Sequence, residues 1–135
     1  MKSATPRTAT GTTLVHEDTA SLHERLVEDC PDCIKVLDLE GRLLSMNAGG
    51  MKALEIRDLD TVLNALWPNF WEGEDRSKAL EAVATARAGG IGRFTGFFAT
   101  ARTKTPKWWD VIVSPIFDAS GKPEKLLASS RDVTE

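Results

Sequence analysis

Trp108-Trp109-Asp110-Val111-Ile112-Val113-Ser114-Pro115 holds two of the chain's four tryptophans and is dense in aromatic and β-branched side chains, which suit a pleated, half-buried surface. It reads as the middle strand of a sheet, closed by a proline that an interior ladder does not accept. Strand alternation puts Trp109, Val111 and Val113 on one face and Trp108, Asp110 and Ile112 on the other. Both faces therefore carry bulky apolar groups, more than a sheet with one solvated face needs, so each is expected to be covered. A slip of one residue in register would exchange the two roles, and the sequence leaves that open.

On either side the chain keeps the same period. Arg93 to Ala101, Lys107 to Phe117 and Glu124 to Val133 are strand-like runs separated by polar turn residues, an antiparallel meander in which Phe94 and Phe98 oppose Phe97. Asp118-Ala119-Ser120-Gly121 has the layout of a tight reverse turn, and Asp38-Leu39-Glu40-Gly41 repeats it between the strand-like runs Ile34 to Leu39 and Leu43 to Met46. Between these sets of strands the period is helical. Asn47 is placed to cap Ala48 to Leu54, and a broken helical stretch runs from Asp58 to Trp67 until Pro68 interrupts it. Asn69-Phe70-Trp71 is then an irregular, bulky cluster. Glu74 to Ala88 is the clearest helix: acidic residues open it, Leu80, Val83, Ala84 and Arg87 follow its period, and Gly89-Gly90 ends it. Two strands, a group of helices and three strands, with no parallel crossover, make the class α+β with one antiparallel sheet of about five strands.

Ahead of the first strand, residues 1–13 have almost nothing to bury and read as a flexible leader. Residues 14–29 carry Val15, Ala20, Leu22, Leu26 and Val27 at roughly helical spacing, an amphipathic helix that Pro31 stops. Its stripe is narrow enough to pack on the sheet or on a second copy.

The totals narrow the function classes. A chain of 135 residues, 41% hydrophobic and 27% charged, is an ordinary globular domain with a real core. A net charge of −3 and no basic face give no reason to expect nucleic acid or an anionic membrane as partner. No stretch approaches a bilayer span and no signal peptide is visible, so the expected location is cytoplasmic. Cys30 and Cys33 are the two cysteines, in a C-x-x-C spacing without a second pair or a matching histidine arrangement, so they read as partly buried thiols and no metal site is expected.

The run from Pro31 through Asp38-Leu39-Glu40-Gly41 to Asn47 resembles the opening of a PAS domain, where two strands lead to an asparagine that starts the helical section. Val113-Ser114-Pro115-Ile116, then Asp118 and Gly121, then Ser130-Arg131-Asp132-Val133-Thr134-Glu135 resemble that family's closing strands and its Asp-x-Thr exit motif. The likeness covers residues 30–135. It implies a five-stranded antiparallel sheet of order 2-1-5-4-3 with helices over one face forming a small pocket. Residues 14–29 would then be the N-terminal cap helix that many PAS domains use to dimerise or pass on a signal. The family's members are input modules of histidine kinases, cyclic-nucleotide enzymes or transcription regulators. The chain stops where the family's linker to an effector begins, and both a fragment and a stand-alone module stay open.

The resemblance also bears on cofactors. Light-oxygen-voltage domains need a cysteine in the helical section for their covalent flavin adduct, and none follows Cys33. Photoactive-yellow-protein-like domains need a cysteine there and use a tyrosine, which this chain lacks. Haem sensors commonly use a histidine on the long helix, and Glu74 to Ala88 has none. Non-covalent flavin stays open, because Trp67, Phe70, Trp71, Phe94 and Trp109 could face an isoalloxazine ring; a packed aromatic core is the plainer reading. The candidate pocket is Trp67, Phe70, Trp71, Leu80, Val83, Phe94, Trp109, Val111 and Val113.

No catalytic constellation is apparent. There is no Ser/His/Asp pattern and no histidine in the body of the domain, and Gly89-Gly90-Ile91-Gly92 ends a helix instead of opening one. Asp110 reads as an outward-facing carboxylate near Arg93, Arg102 or Arg131. Asp132 and Thr134 carry, by the resemblance, the coupling of the sheet to a C-terminal linker. Val15, Leu22, Leu26, Phe97, Trp108 and Ile112 are the expected cap or homodimer interface. Two functions are compatible with this pattern: a sensor of a small ligand or redox state that passes its signal to an effector domain or partner protein, and a ligand-free module for protein association.

Overall fold

The strands are β1 Cys33–Leu37, β2 Leu43–Met46, β3 Gly92–Phe97, β4 Trp108–Phe117 and β5 Pro123–Asp132, with α1 Ala48–Leu54 and α2 Glu74–Arg87 between β2 and β3. A computed structural model describes Leu22 and residues 25–134. In it the strands form one antiparallel sheet in the order β2-β1-β5-β4-β3. The middle strand is thus β5 and not the tryptophan-rich β4, because the first hairpin returns to lie beside the last strand.

β4 also continues through Pro115, which lies opposite Leu126 of β5. Its pairing with β3 stops at Gly92 and Val113, so past Val113 one side of β4 carries no ladder. A residue without an N–H is admitted there.

The two Asp-x-x-Gly turns are built alike. The Gly41 amide donates to the Asp38 carbonyl at 3.0 Å, and the Gly121 amide to the Asp118 carbonyl at 3.0 Å. In each, the aspartate carboxylate accepts from backbone amides two and four residues on, at 3.0 and 2.8 Å in the first turn and 2.8 and 3.1 Å in the second. Gly41 at φ 93° and Gly121 at φ 88° occupy the left-handed region these turns need.

The stretch expected to be helical from Asp58 to Trp67 forms instead two short 3₁₀ turns, Leu59–Thr61 and Trp67–Phe70. Its backbone is spent on the β2 edge. The Leu43 amide donates to the Ala65 carbonyl at 2.9 Å, the Asn64 amide to the Leu43 carbonyl at 2.8 Å, and the Trp67 amide to the Gly41 carbonyl at 2.9 Å. Pro68 sits in the first turn of the second 3₁₀ segment, where a missing N–H costs nothing.

α2 packs across β3, β4 and β5. The face it buries is Ala79, Ala82, Val83 and Ala86, and its small side chains let the helix approach closely. A Cβ at Gly92 of β3 would come within 2.5 Å of the Ala82 Cα. Leu80 lies off that face and is 53% exposed, away from the buried core. The core between helices and sheet holds Trp67, Trp109, Leu37, Leu43, Leu126, Val111 and Val113, all fully buried. Leu22 and residues 25–29 are helical and exposed. The leader, Val15 and most of the expected cap helix lie outside the described residues.

Candidate functional site

Strand alternation and the sheet order bring Cys33 and Lys35 of β1, Ser130 of β5 and Trp109 of β4 onto the inner face. Leu54 of α1, the irregular segment with Trp67, Phe70 and Trp71, and Phe98 after β3 close over them. Together they line a cavity of about 20 Å³. Its aromatic walls pack on one another: Trp67 on Trp71 at 6.0 Å, Trp71 on Phe94 at 5.2 Å and Trp71 on Phe98 at 5.8 Å between ring centres. A larger chamber of about 330 Å³ adjoins and shares Lys35, Leu54, Phe70 and Phe98 as walls.

Trp67, Phe70, Trp71 and Trp109 of the expected pocket line the inner cavity. Val83, Val111 and Val113 are buried in the core beneath α2, and Phe94 packs on Trp67 and Trp71. Leu80 faces solvent. The lining residues that the sequence pattern did not place in the pocket are Cys33, Lys35, Leu54, Phe98 and Ser130, and two of them, Lys35 and Ser130, are polar. Lys35 is 4% exposed, and its amine donates to the Cys33 sulfur at 2.8 Å. The Ser130 hydroxyl and the Trp71 indole N–H are buried with no hydrogen-bond partner among the described residues. The period of β1 was the available signal, since Lys35 lies between Cys33 and Leu37 on the inward face.

Asn47 joins the start of the domain. Its side-chain oxygen accepts from the Ile34 amide and from the Gly50 amide, both at 2.9 Å. Its side-chain nitrogen donates to the carbonyls of Val27 at 2.6 Å, Asp32 at 3.1 Å and Cys30 at 3.2 Å. Two N–H groups serve three carbonyls, so part of this bonding is shared.

At the other end, the Thr134 hydroxyl accepts from the Trp108 amide at 2.8 Å, and the Thr134 amide donates to the Asp132 carboxylate at 2.9 Å. Lys107 stands 3.4 Å from the other carboxylate oxygen, donates to the Ala53 carbonyl of α1 at 3.1 Å, and lies 5.7 Å from the centre of the Trp109 ring. Burial pushes the Asp132 carboxyl up, but the Thr134 hydroxyl and amide, with Lys107, outweigh it and hold it below its ordinary value. Lys107 thereby touches the inner aromatic wall, α1 and the chain's exit at once.

A second carboxylate fastens the chamber's rim. Glu55, just past α1, accepts from the Thr103 amide at 2.8 Å and from the Thr103 hydroxyl at 3.0 and 2.8 Å. These bonds bring it down to about 2.

On the outer face Trp108 is 50% exposed and Phe97 41% exposed, and the two rings meet edge to face at 5.4 Å. Ile112 is half-buried, and Asp110 lies opposite Arg131. Leu22 and Leu26 are exposed.

The pattern of the PAS fold matches residues 27–135. Among solved structures, the PAS domain of an HTR-like protein from Haloarcula marismortui is similar at 25% identity and a TM-score of 0.67, over 87% of this chain and 99% of that one. A domain of a sensory box sensor histidine kinase/response regulator from Geobacter sulfurreducens is similar at 23% identity and a TM-score of 0.68, over 84% of this chain and 94% of that one. A PAS domain from Colwellia psychrerythraea has a TM-score of 0.73 at 17% identity, over 87% of this chain and 98% of that one. No curated protein matches. Among the described residues no helix is long and apolar enough to cross a membrane.

Proposed function

This chain belongs to the PAS family, and on that footing we propose that it is a cytoplasmic sensory domain whose inner cavity receives a small ligand and whose exit strand passes the change to an effector. The observation that carries this reading is Lys107, which contacts the Trp109 ring, the Ala53 carbonyl and the Asp132 carboxylate together. A shift of Trp109 or α1 would alter what Lys107 offers Asp132. Thr134, bonded to both Asp132 and the start of β4, would transmit that alteration out of the sheet. The name of the Geobacter relative supports a two-component histidine kinase as the effector class.

The test is the whole chain fused ahead of a histidine-kinase catalytic core. Asp132→Ala should change autophosphorylation severalfold while the domain's melting temperature moves by only a few degrees. Unchanged output would sink the coupling role.

The exposed Trp108–Phe97 pair supports a second reading, association of two copies through the outer face with Ile112, Leu22, Leu26 and the segment containing Val15. Trp108→Ser should turn a sedimenting dimer into a monomer without loss of fold. A wild-type monomer at the highest soluble concentration would remove this reading.

A further inference from the structure

The inner cavity has a one-sided hydrogen-bonding character. Lys35 offers donors only, the Trp71 indole offers one donor and no acceptor, and the Ser130 hydroxyl offers a donor that it need not keep. All three side chains belong to residues at least nine-tenths buried, and two have no partner among the described residues. The acceptor within reach of Lys35 is the Cys33 sulfur, a weak one, and no carboxylate lines the inner cavity. A buried lysine without an anion beside it is costly, and buried donors without acceptors add to that cost.

The adjoining chamber is different in kind: Met46, Leu54, Ile56, Val62, Phe70 and Phe98 make its wall. Two carboxylates and two arginines also line it: Glu55, engaged by Thr103, and the exposed Asp58, Arg57 and Arg102.

We propose that the two spaces form one site for an amphiphilic monocarboxylate. Its head is held by Lys35, Trp71 and Ser130, and its hydrocarbon body lies in the Met46–Leu54–Val62 chamber. A carboxylate supplies the acceptor lone pairs that three donors require. A cavity of about 20 Å³ admits one small head group and not a bulky polyanion. The inference deepens the sensory reading and rests on it, by naming the class of signal.

Decanoate and decanol, identical in chain length, are titrated into the whole protein and followed by calorimetry and tryptophan emission. Decanoate should saturate and bind about tenfold or more tightly than decanol. Lys35→Met should weaken decanoate roughly tenfold to a hundredfold, the loss of one charge-assisted hydrogen bond, and leave decanol unchanged. Trp71→Phe, which keeps the ring and deletes the N–H, should weaken decanoate severalfold. It also serves as the test if the lysine variant does not fold.

Equal binding of both probes, indifferent to Lys35, would overturn the carboxylate inference while leaving a ligand pocket in place. Binding of neither probe, with a water satisfying the donors, would overturn it as well. The signalling role would then stand or fall on the Asp132 fusion experiment, which does not depend on ligand chemistry.

Discussion

Asn47 and Asp132 both hold distant parts of the chain together, one where the domain begins and the other where it ends, and they are made differently. Asn47 is 4% exposed and spends its whole side chain on five backbone groups from three segments. Asp132 has a side chain 39% exposed, and its partners are the Lys107 amine and the amide and hydroxyl of the threonine two residues away. A buried amide with every bond made is a joint, expensive to open. A half-solvated ion pair contributes little to stability and exchanges partners at low cost. The entry of the domain is therefore held more tightly than its exit.

The sharpest way to break this contrast is Asn47→Ala. It leaves the amides of Ile34 and Gly50 and three carbonyls without their partner, and should cost about 3–4 kcal/mol, a large share of a small domain's stability. Chemical denaturation measures it, and a loss under about 1 kcal/mol would show that water replaces the side chain easily. The fusion variant Asp132→Ala should cost the isolated chain only about 0.5–1 kcal/mol in the same experiment. A loss comparable to that at Asn47 would make the exit a joint as well.

The smallest expected effect is acid-dependent. Glu55 and Asp132 both titrate lower in the folded chain than in the unfolded one. Their stabilisation is complete above the ordinary carboxylate range and is lost as pH falls through the folded values, for Glu55 between 4.5 and about 2. Asn47 does not titrate. Amide shifts of Thr103 and Thr134 should therefore move in acid before those of Ile34 and Gly50, and Glu55→Gln should abolish the Thr103 response alone.

Much of this architecture is legible in the residue order. The capping role of Asn47, the paired Asp-x-x-Gly turns, and the inward phase of Trp109, Val111 and Val113 follow from local chemistry and a period of two. What local reading misses depends on neighbours. Pro115 does not end β4, because β3 stops first and leaves that side unpaired. Leu80 follows the helical period yet faces water, because α2 turns its alanines to the sheet so that Gly92 can approach. The Asp58–Trp67 stretch gives up its helix because the edge of β2 offers its backbone better partners. The period of β1 puts Lys35 in phase with Cys33 and Leu37, but its polar type, like that of Ser130, argues for a surface position, and the closing of α1 and the Trp67–Trp71 segment over the sheet buries both. Lys107 precedes a strand and bears no motif, so its threefold contact is visible only once α1, β4 and β5 are placed together.

The two reverse turns, alike in their backbone bonding, differ in what surrounds them. A Cβ at Gly41 would rest 3.4 Å from the Pro68 ring and 3.7 Å from Val83, while one at Gly121 would meet nothing within 4 Å. The β4–β5 turn is thus a port: a reporter peptide or a split site placed between Ser120 and Lys122 would ride on the outside of the molecule. The same graft at Gly41 would pry the Trp67 segment off the edge of the sheet.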